Sequence, residues 1–567
     1  MTPKHKRNKD VFRFLALLIA VFVANYMVSS WVFRLDLTAE KRFTLAEITK
    51  DFLSGMDKPV IAKVYLEGDL NVGFERLSRS VEEKLNEFQV YAGNKLDYQY
   101  YDLAENSNDA KRAKKHLQEL GLEPVPVFEV NEDGSRKRTL VYPFILFQSG
   151  DKKLAVNLLE NMPGRSGAEN LNASIEGLEY KFSDALRRLL MKEKRKIAFL
   201  EGHGELDELE VIDITDALSR YYQVDRGNPG NNPEMLQPYE ALIIASPQEE
   251  FTEPEKFSID QYIMNGGRVL WMVEAIKASL DSLRNTMQTV GLPMEINLND
   301  QLFRYGFRIN PTLVQDVQAG VIPVNVAPPG ESSRFVPMPW IFNPLLNTNS
   351  QHPVTRNVNM VKGEFVSSVD TVGADLQTTV TPLLRTSRHS REMHSPVFIS
   401  LAHVQEQPRR ENFPESYISV AYASEGVFPS VFKNRPVPPE VSFSIDKRRN
   451  ESVPTRMIVV GDGDIIRNGV RRSETGNPRI IPLGFDEATN QIYGNKDFIL
   501  NAINYLTDDE GWMDLRTRNY QLRMLDRDKV ANESGKWKAL NLGIPLLIVL
   551  LIGITVPFLR RRRFGKI

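Results

Sequence analysis

Two uncharged apolar runs bracket this chain and limit what everything between them can be. Residues 14–33 read FLALLIAVFVANYMVSSWVF and residues 539–559 read ALNLGIPLLIVLLIGITVPFL. As helices rising 1.5 Å per residue, each spans about 30 Å, the hydrocarbon thickness of a bilayer. The first run is read as a retained anchor. The alternative, a cleaved signal peptide, meets an apolar core that is too long and a poor small-residue site at Val28-Ser29-Ser30. Reading the second as a buried core helix is countered by Arg560–Arg563, which stamp its end with charge.

Charge gives the runs an orientation. Lys4, Lys6, Arg7, Lys9 and Arg13 flank the first; Arg560 to Arg563 and Lys566 flank the second. The positive-inside rule then places both termini in the cytoplasm and about 500 residues outside the inner membrane, as a periplasmic domain. The chain holds 71 basic and 73 acidic side chains, which looks neutral; without those ten basic flanking residues and Asp10, 61 basic and 72 acidic residues remain. The exterior part is therefore acidic. The basic tails need no nucleic-acid partner, because anchors require such flanks. No cysteine is present, which excludes disulfides, thiol catalysis, Cys-ligated zinc and a lipidated cysteine. No G-x-x-x-x-G-K-[ST] loop occurs either, so any motor and any pore belong to other subunits.

The organisation follows from these marks. Residues 1–13 and 560–567 are cytoplasmic tails, 34–192 a membrane-proximal α/β domain, 193–510 a second α/β domain, and 511–538 a stalk. In the first domain, Thr44 and Glu47 have capping-box spacing ahead of a helix ending near Gly55. Strands are expected at 60–66, 96–103, 125–130, 139–147 and 154–158, and helices at 74–91, 109–120 and 174–191. Asp133-Gly134 signals a hairpin. This order suggests a thioredoxin-like sandwich, without the CxxC that redox work would need.

In the second domain, the strands 197–200, 241–245 (ALIIA) and 268–273 (RVLWMV) alternate with helices at 206–222 and 254–264. Apolar runs of this kind fit strands buried on both faces, hence a doubly wound parallel sheet. A β-rich insertion at about 293–450 interrupts it. The sheet resumes at 456–460 (RMIVV), and the helix 496–506 closes it.

The sharpest local signal is Glu201-Gly202-His203-Gly204-Glu205, between a strand and a helix. Open α/β sheets bind ligands beyond the carboxyl ends of their strands. Asp462 and Asp464, after another strand, are expected near the same crevice. Together Glu201, His203, Glu205, Asp462 and Asp464 are the ligand-binding candidates, with donors suited to a hard divalent cation or a sugar. The competing reading is a tight turn whose polar side chains cap backbone amides. Neither a catalytic set nor a cofactor or resident metal is expected: there is no G-x-S-x-G elbow and no G-x-G-x-x-G. His389 and His394 sit among arginines, as a solvated loop or interface would. The aromatics Phe303, Tyr305, Phe307, Phe335, Trp340 and Phe342 read as packing of the insertion, a carbohydrate or peptide groove being the alternative.

Several stretches resemble the gliding-motility auxiliary components of ABC transporters, of the GldG type. They are LDLTAEKRFTL at 35–45, VYLEG at 64–68, FLEGHGE at 199–205, PLLRTS at 382–387, VVGDGDIIRN at 459–468 and NAINYL at 501–506. The resemblance implies a non-catalytic extracytoplasmic subunit that assembles with an ABC permease and a cytoplasmic ATPase in surface gliding of Bacteroidota. It also implies a middle domain similar to one in a eukaryotic intraflagellar transport protein and related to glutamine-amidotransferase-like folds. Here the amidotransferase cysteine is absent. A ligand-capturing receptor of the transporter and a membrane-anchored envelope hydrolase are the other readings.

Overall fold

A computed structural model of the chain describes residues 14–22, 44–517 and 533–564, apart from 104–107, 120–121, 131–135, 161–165, 192, 281, 284–286, 329–330, 374–376, 405–407, 472–475 and 477. It divides into two units, residues 44–518 and the two chain ends. In the end unit, residues 14–22 are helical, whereas 23–33 of the first apolar run lie outside the described residues. Helix Ser534–Phe564 contains the second run; its segment Ser534–Leu559 has a mean hydropathy of 2.6, long and apolar enough to cross a membrane. The expected stalk falls largely on residues 518–532, also outside the description.

The large unit begins with a four-stranded mixed sheet. β1 (Val60–Val64) and β2 (Leu96–Tyr100) pair in parallel, joined by helix Val72–Ala92. β3 (Val125–Val130) and β4 (Arg136–Val141) form a separate antiparallel ribbon. β5 (Phe144–Ser149) then runs antiparallel to β1, and β6 (Lys152–Asn157) antiparallel to β5. Helix Val72–Ala92 buries Leu77, Val81, Leu85 and Phe88 at the helical period, against β1 and helix Leu178–Leu190.

Three local expectations differ here. The helix expected from the Thr44 capping box starts at Glu47, with Ala46 at its N-cap; the Ala46 amide donates to the Glu179 carboxylate at 2.7 Å. The strand expected over 139–147 is broken at Tyr142-Pro143, because proline has no amide to continue a ladder. The helix expected over 174–191 is two helices, Gly167–Glu176 and Leu178–Leu190, parted at Gly177.

Five parallel strands form the heart of the second part: β7 (Arg195–Leu200), β8 (Tyr222–Gly227), β9 (Ala241–Ala245), β10 (Arg268–Met272) and Thr455–Val460. Their spatial order is β8, β7, β9, β10, Thr455–Val460. Every residue of β9 is buried. Alternate side chains enter two cores: Ile197, Ile243, Leu270 and Ile458 face helix Asn495–Leu506, and Ala198, Ile244, Trp271 and Val459 face helix Glu253–Met264. That two-sided burial is why these strands read as unbroken apolar runs.

The insertion extends this sheet. Strands Ser419–Val427, Gln377–Arg385, Phe335–Thr348 and Ala319–Asn325 add antiparallel, in that order, beyond Thr455–Val460. Tyr305, Phe307, Trp340 and Phe342 are core side chains, while Phe303 and Phe335 are exposed. The segment holding His389 and His394 leads into a strand, Ser390–His394, paired with Thr312–Asp316.

Candidate functional site

In chain order the parallel strands lie 2-1-3-4-5, so the connection reverses direction between β7 and β9. Ligand crevices of open α/β sheets lie at that reversal. The loop Glu201–Glu205 leaves β7 there. Gly202 has φ +117°, and a Cβ on it would come within 2.3 Å of the Asn228 side chain. Gly204, at φ +71°, is also in the left-handed range that favours glycine. The expected helix 206–222 is shorter, Ile212–Ser219. The Leu206 amide is held by the Ala245 carbonyl at 3.1 Å, and Asp207 and Glu210 accept each other's amides, so the chain turns before it coils.

His203 is buried within this loop. Its amide donates to Glu205 Oε2 at 2.7 Å, its Nδ1 lies 3.1 Å from Glu205 Oε1, and its Nε2 lies 3.1 Å from Glu255 Oε2. The ring stacks on Phe251 at 3.6 Å between centroids. Glu255 also caps its own helix, accepting from the Thr252 amide and hydroxyl at 2.9 and 2.6 Å. Burial works against the imidazolium, but the hydrogen bonds and charges of Glu205 and Glu255 outweigh it and raise the His203 pKa. Both ring nitrogens are thus engaged by carboxylates. Glu201, half-exposed, pairs with Arg226.

The second set lies at the ends of β10 and Thr455–Val460. Oxygens of Glu274, Asp462 and Asp464 approach within 4.8 Å of one another. Asp462 accepts the Asp464 amide at 2.7 Å and the Glu364 amide at 2.9 Å; Glu274 accepts the Ser246 hydroxyl at 3.3 Å. Burial, then the neighbouring aspartates, push the Glu274 carboxyl well above its ordinary range. Burial, then Asp464, does the same to Asp462. Asp464 is raised by burial first, with Arg467 opposing from 2.8 Å. Three oxygen donors this close suit a hard cation, with water completing its shell, or else retain protons.

The two sets therefore have separate side-chain partners. They are joined through the end of β9: the His203 carbonyl accepts the Gln248 amide at 2.7 Å, Gln248 Nε2 donates to Ser246 Oγ at 3.1 Å, and Ser246 reaches Glu274. Glu274 and Glu255 are not among the five residues that the sequence marks out. Glu274 carried a signal, since it follows the buried run RVLWMV much as Asp462 follows RMIVV. Of the five candidates, only Asp464 lines the large cleft of about 1020 Å³ outside this end of the sheet.

A family profile described as "ABC-type uncharacterized transport system" matches residues 194–502, just over half of the chain. A second, a domain of unknown function, matches residues 39–148. An uncharacterized protein of Borreliella burgdorferi is 21% identical over 442 residues, covering 76% of this chain and 80% of its own. Among solved structures, the mmIFT52 N-terminal domain aligns with 55% of this chain and 98% of its own, at 12% identity and a TM-score of 0.30.

Proposed function

The chain belongs to this ABC-type transport-system family, and on that premise we propose that it is a non-catalytic, extracytoplasmic subunit of an ABC transporter of the gliding-motility kind. The family match over residues 194–502 is the observation that carries the reading. A motorless sequence fits it: ATP hydrolysis falls to a cytoplasmic ATPase, and passage across the membrane to a polytopic permease. The apolar helix Ser534–Leu559 supports membrane attachment. The flanking charges support two spans with both termini cytoplasmic and the acidic bulk in the periplasm.

The fold is consistent with a binding or coupling role. The order β2-β1-β5-β6, with β5 antiparallel, supports a thioredoxin-like reading of the first part. The 2-1-3-4-5 order supports a doubly wound, amidotransferase-like reading of the second. In neither does a cysteine nucleophile exist. His203, wedged between two carboxylates and against Phe251, ties elements together instead of meeting a substrate. The cleft beside Asp464 favours a second reading, a ligand-capturing receptor of the same transporter.

Affinity purification of the tagged full chain in mild detergent tests the subunit reading. A polytopic membrane protein and an ATP-hydrolysing protein are expected to co-elute in fixed proportion. Recovery of the chain alone under conditions that preserve other transporter complexes contradicts it.

A further inference from the structure

The cleft of about 1020 Å³ lies outside the carboxyl ends of the parallel strands, lined by Asp207 and Glu210 after β7 and by Asp464 and Arg467 after Thr455–Val460, and is as large as the biggest small-molecule sites. Among the described residues three cations line it, and each is already matched: Lys362 with Asp486 at 2.7 Å, Arg467 with Asp464 at 2.8 Å, Arg471 with Glu487 at 2.6 Å. Asp207, Glu210 and Glu364 line it as well, so among the described residues carboxylates outnumber cations six to three; Glu210 also meets Arg467 at 3.4 Å, and Glu487 also meets Arg479 at 3.3 Å. A cleft with low-dielectric walls focuses such a field. Anions are repelled.

The rest of the lining decides between kinds of cation. Leu280, Val321, Val470, Ile481 and Phe485 contribute apolar wall to the cleft. A bare metal ion keeps a shell of oxygen ligands and gains nothing from that wall or that volume. An organic cation uses both, with its charge among the carboxylates and its stem along the apolar side chains.

We propose that this cleft binds an organic cation, a primary ammonium or guanidinium group carried on an apolar stem. A free polyamine and the basic side chain of a peptide share this chemistry. The inference deepens the receptor form of the reading above and rests on that form alone. Titration reports the cleft and co-purification reports the assembly, so either can fail without the other.

The test is calorimetric titration of the full chain, in neutral detergent, with spermidine, with trilysine and with inorganic phosphate. Saturable binding of one or both cations at one site per chain is expected, with no binding of phosphate. Tighter spermidine identifies a free polyamine as the source, tighter trilysine a peptide. Glu364→Gln and Glu487→Gln should each weaken binding by about tenfold, the size of one charge-assisted contact. Glu364 and Glu487 are themselves only half-buried, and the Glu364 amide that holds Asp462 is retained. No saturable binding of either cation, equal affinity in both variants, or binding of phosphate at the same site overturns the proposal.

Discussion

His203 Nε2 lies 3.1 Å from Glu255 Oε2, which fastens the loop after the first parallel strand to the first turn of the helix after the third. The other face of the imidazole is closed by Glu205 and by Phe251. Here the two glycines give the loop its shape and the histidine locks it.

His203→Gln therefore destabilises the chain, by on the order of 3 kcal/mol near pH 6, because it leaves Glu205 and Glu255 without their shared cation. The raised His203 pKa makes its contribution complete below about pH 6.5, its unfolded value, and lost as pH rises through the higher folded one. Glu255 is held down chiefly by Thr252 and then His203, against burial; its contribution is present above its unfolded value and lost on acidification through the folded one. Urea denaturation of both proteins across pH should show a gap that narrows on the alkaline side. A gap independent of pH would remove the ion pair from the account.

The acid cluster acts with the same sign as His203 and the opposite sign to Glu255. A carboxyl whose folded pKa is raised, as burial and two aspartates raise Glu274, binds more protons folded than unfolded. Stability then falls as pH climbs from about 4.3 toward the folded value. Glu274→Gln removes that loss, so the variant's Tm should gain on the wild type between pH 5 and pH 8. A variant that loses ground at pH 8 would mean Glu274 is held ionised there.

Gly463 has an ordinary backbone conformation, φ −79°, so its role is close approach. A Cβ there would sit 2.4 Å from Ser246 Cβ, forcing apart the ends of β9 and Thr455–Val460. Gly463→Ala should cost about 1–3 kcal/mol, the range for overpacking, in a denaturation experiment. Gly535→Ala, which meets nothing within 4 Å, is the control and should be neutral or slightly stabilising.

What was legible in the sequence was what local physics writes there. Ala241–Ala245 and Arg268–Met272 are buried on both faces, so their apolar runs announced parallel strands. The loop at His203 announced itself through two glycines between strand and helix. Long-range pairing left no local mark. Nothing near Ala421 reveals that it lies opposite Val460, or near Asn347 that it meets Arg385, so the insertion's place as the sheet's continuation was hidden. The partners of His203 and Asp462 were hidden for the same reason, since Glu255 and Glu364 reach them from distant elements.

The proposed placement of the large unit outside the inner membrane is tested most directly by cysteine labelling, since the chain lacks cysteine and is its own labelling background. Ser332 is exposed, in the segment before strand Phe335–Thr348. In cells with a permeabilised outer membrane and an intact inner one, Ser332→Cys should react with a membrane-impermeant maleimide as fully as in lysed cells. Labelling only after the inner membrane is broken would put the acidic unit in the cytoplasm and contradict the account.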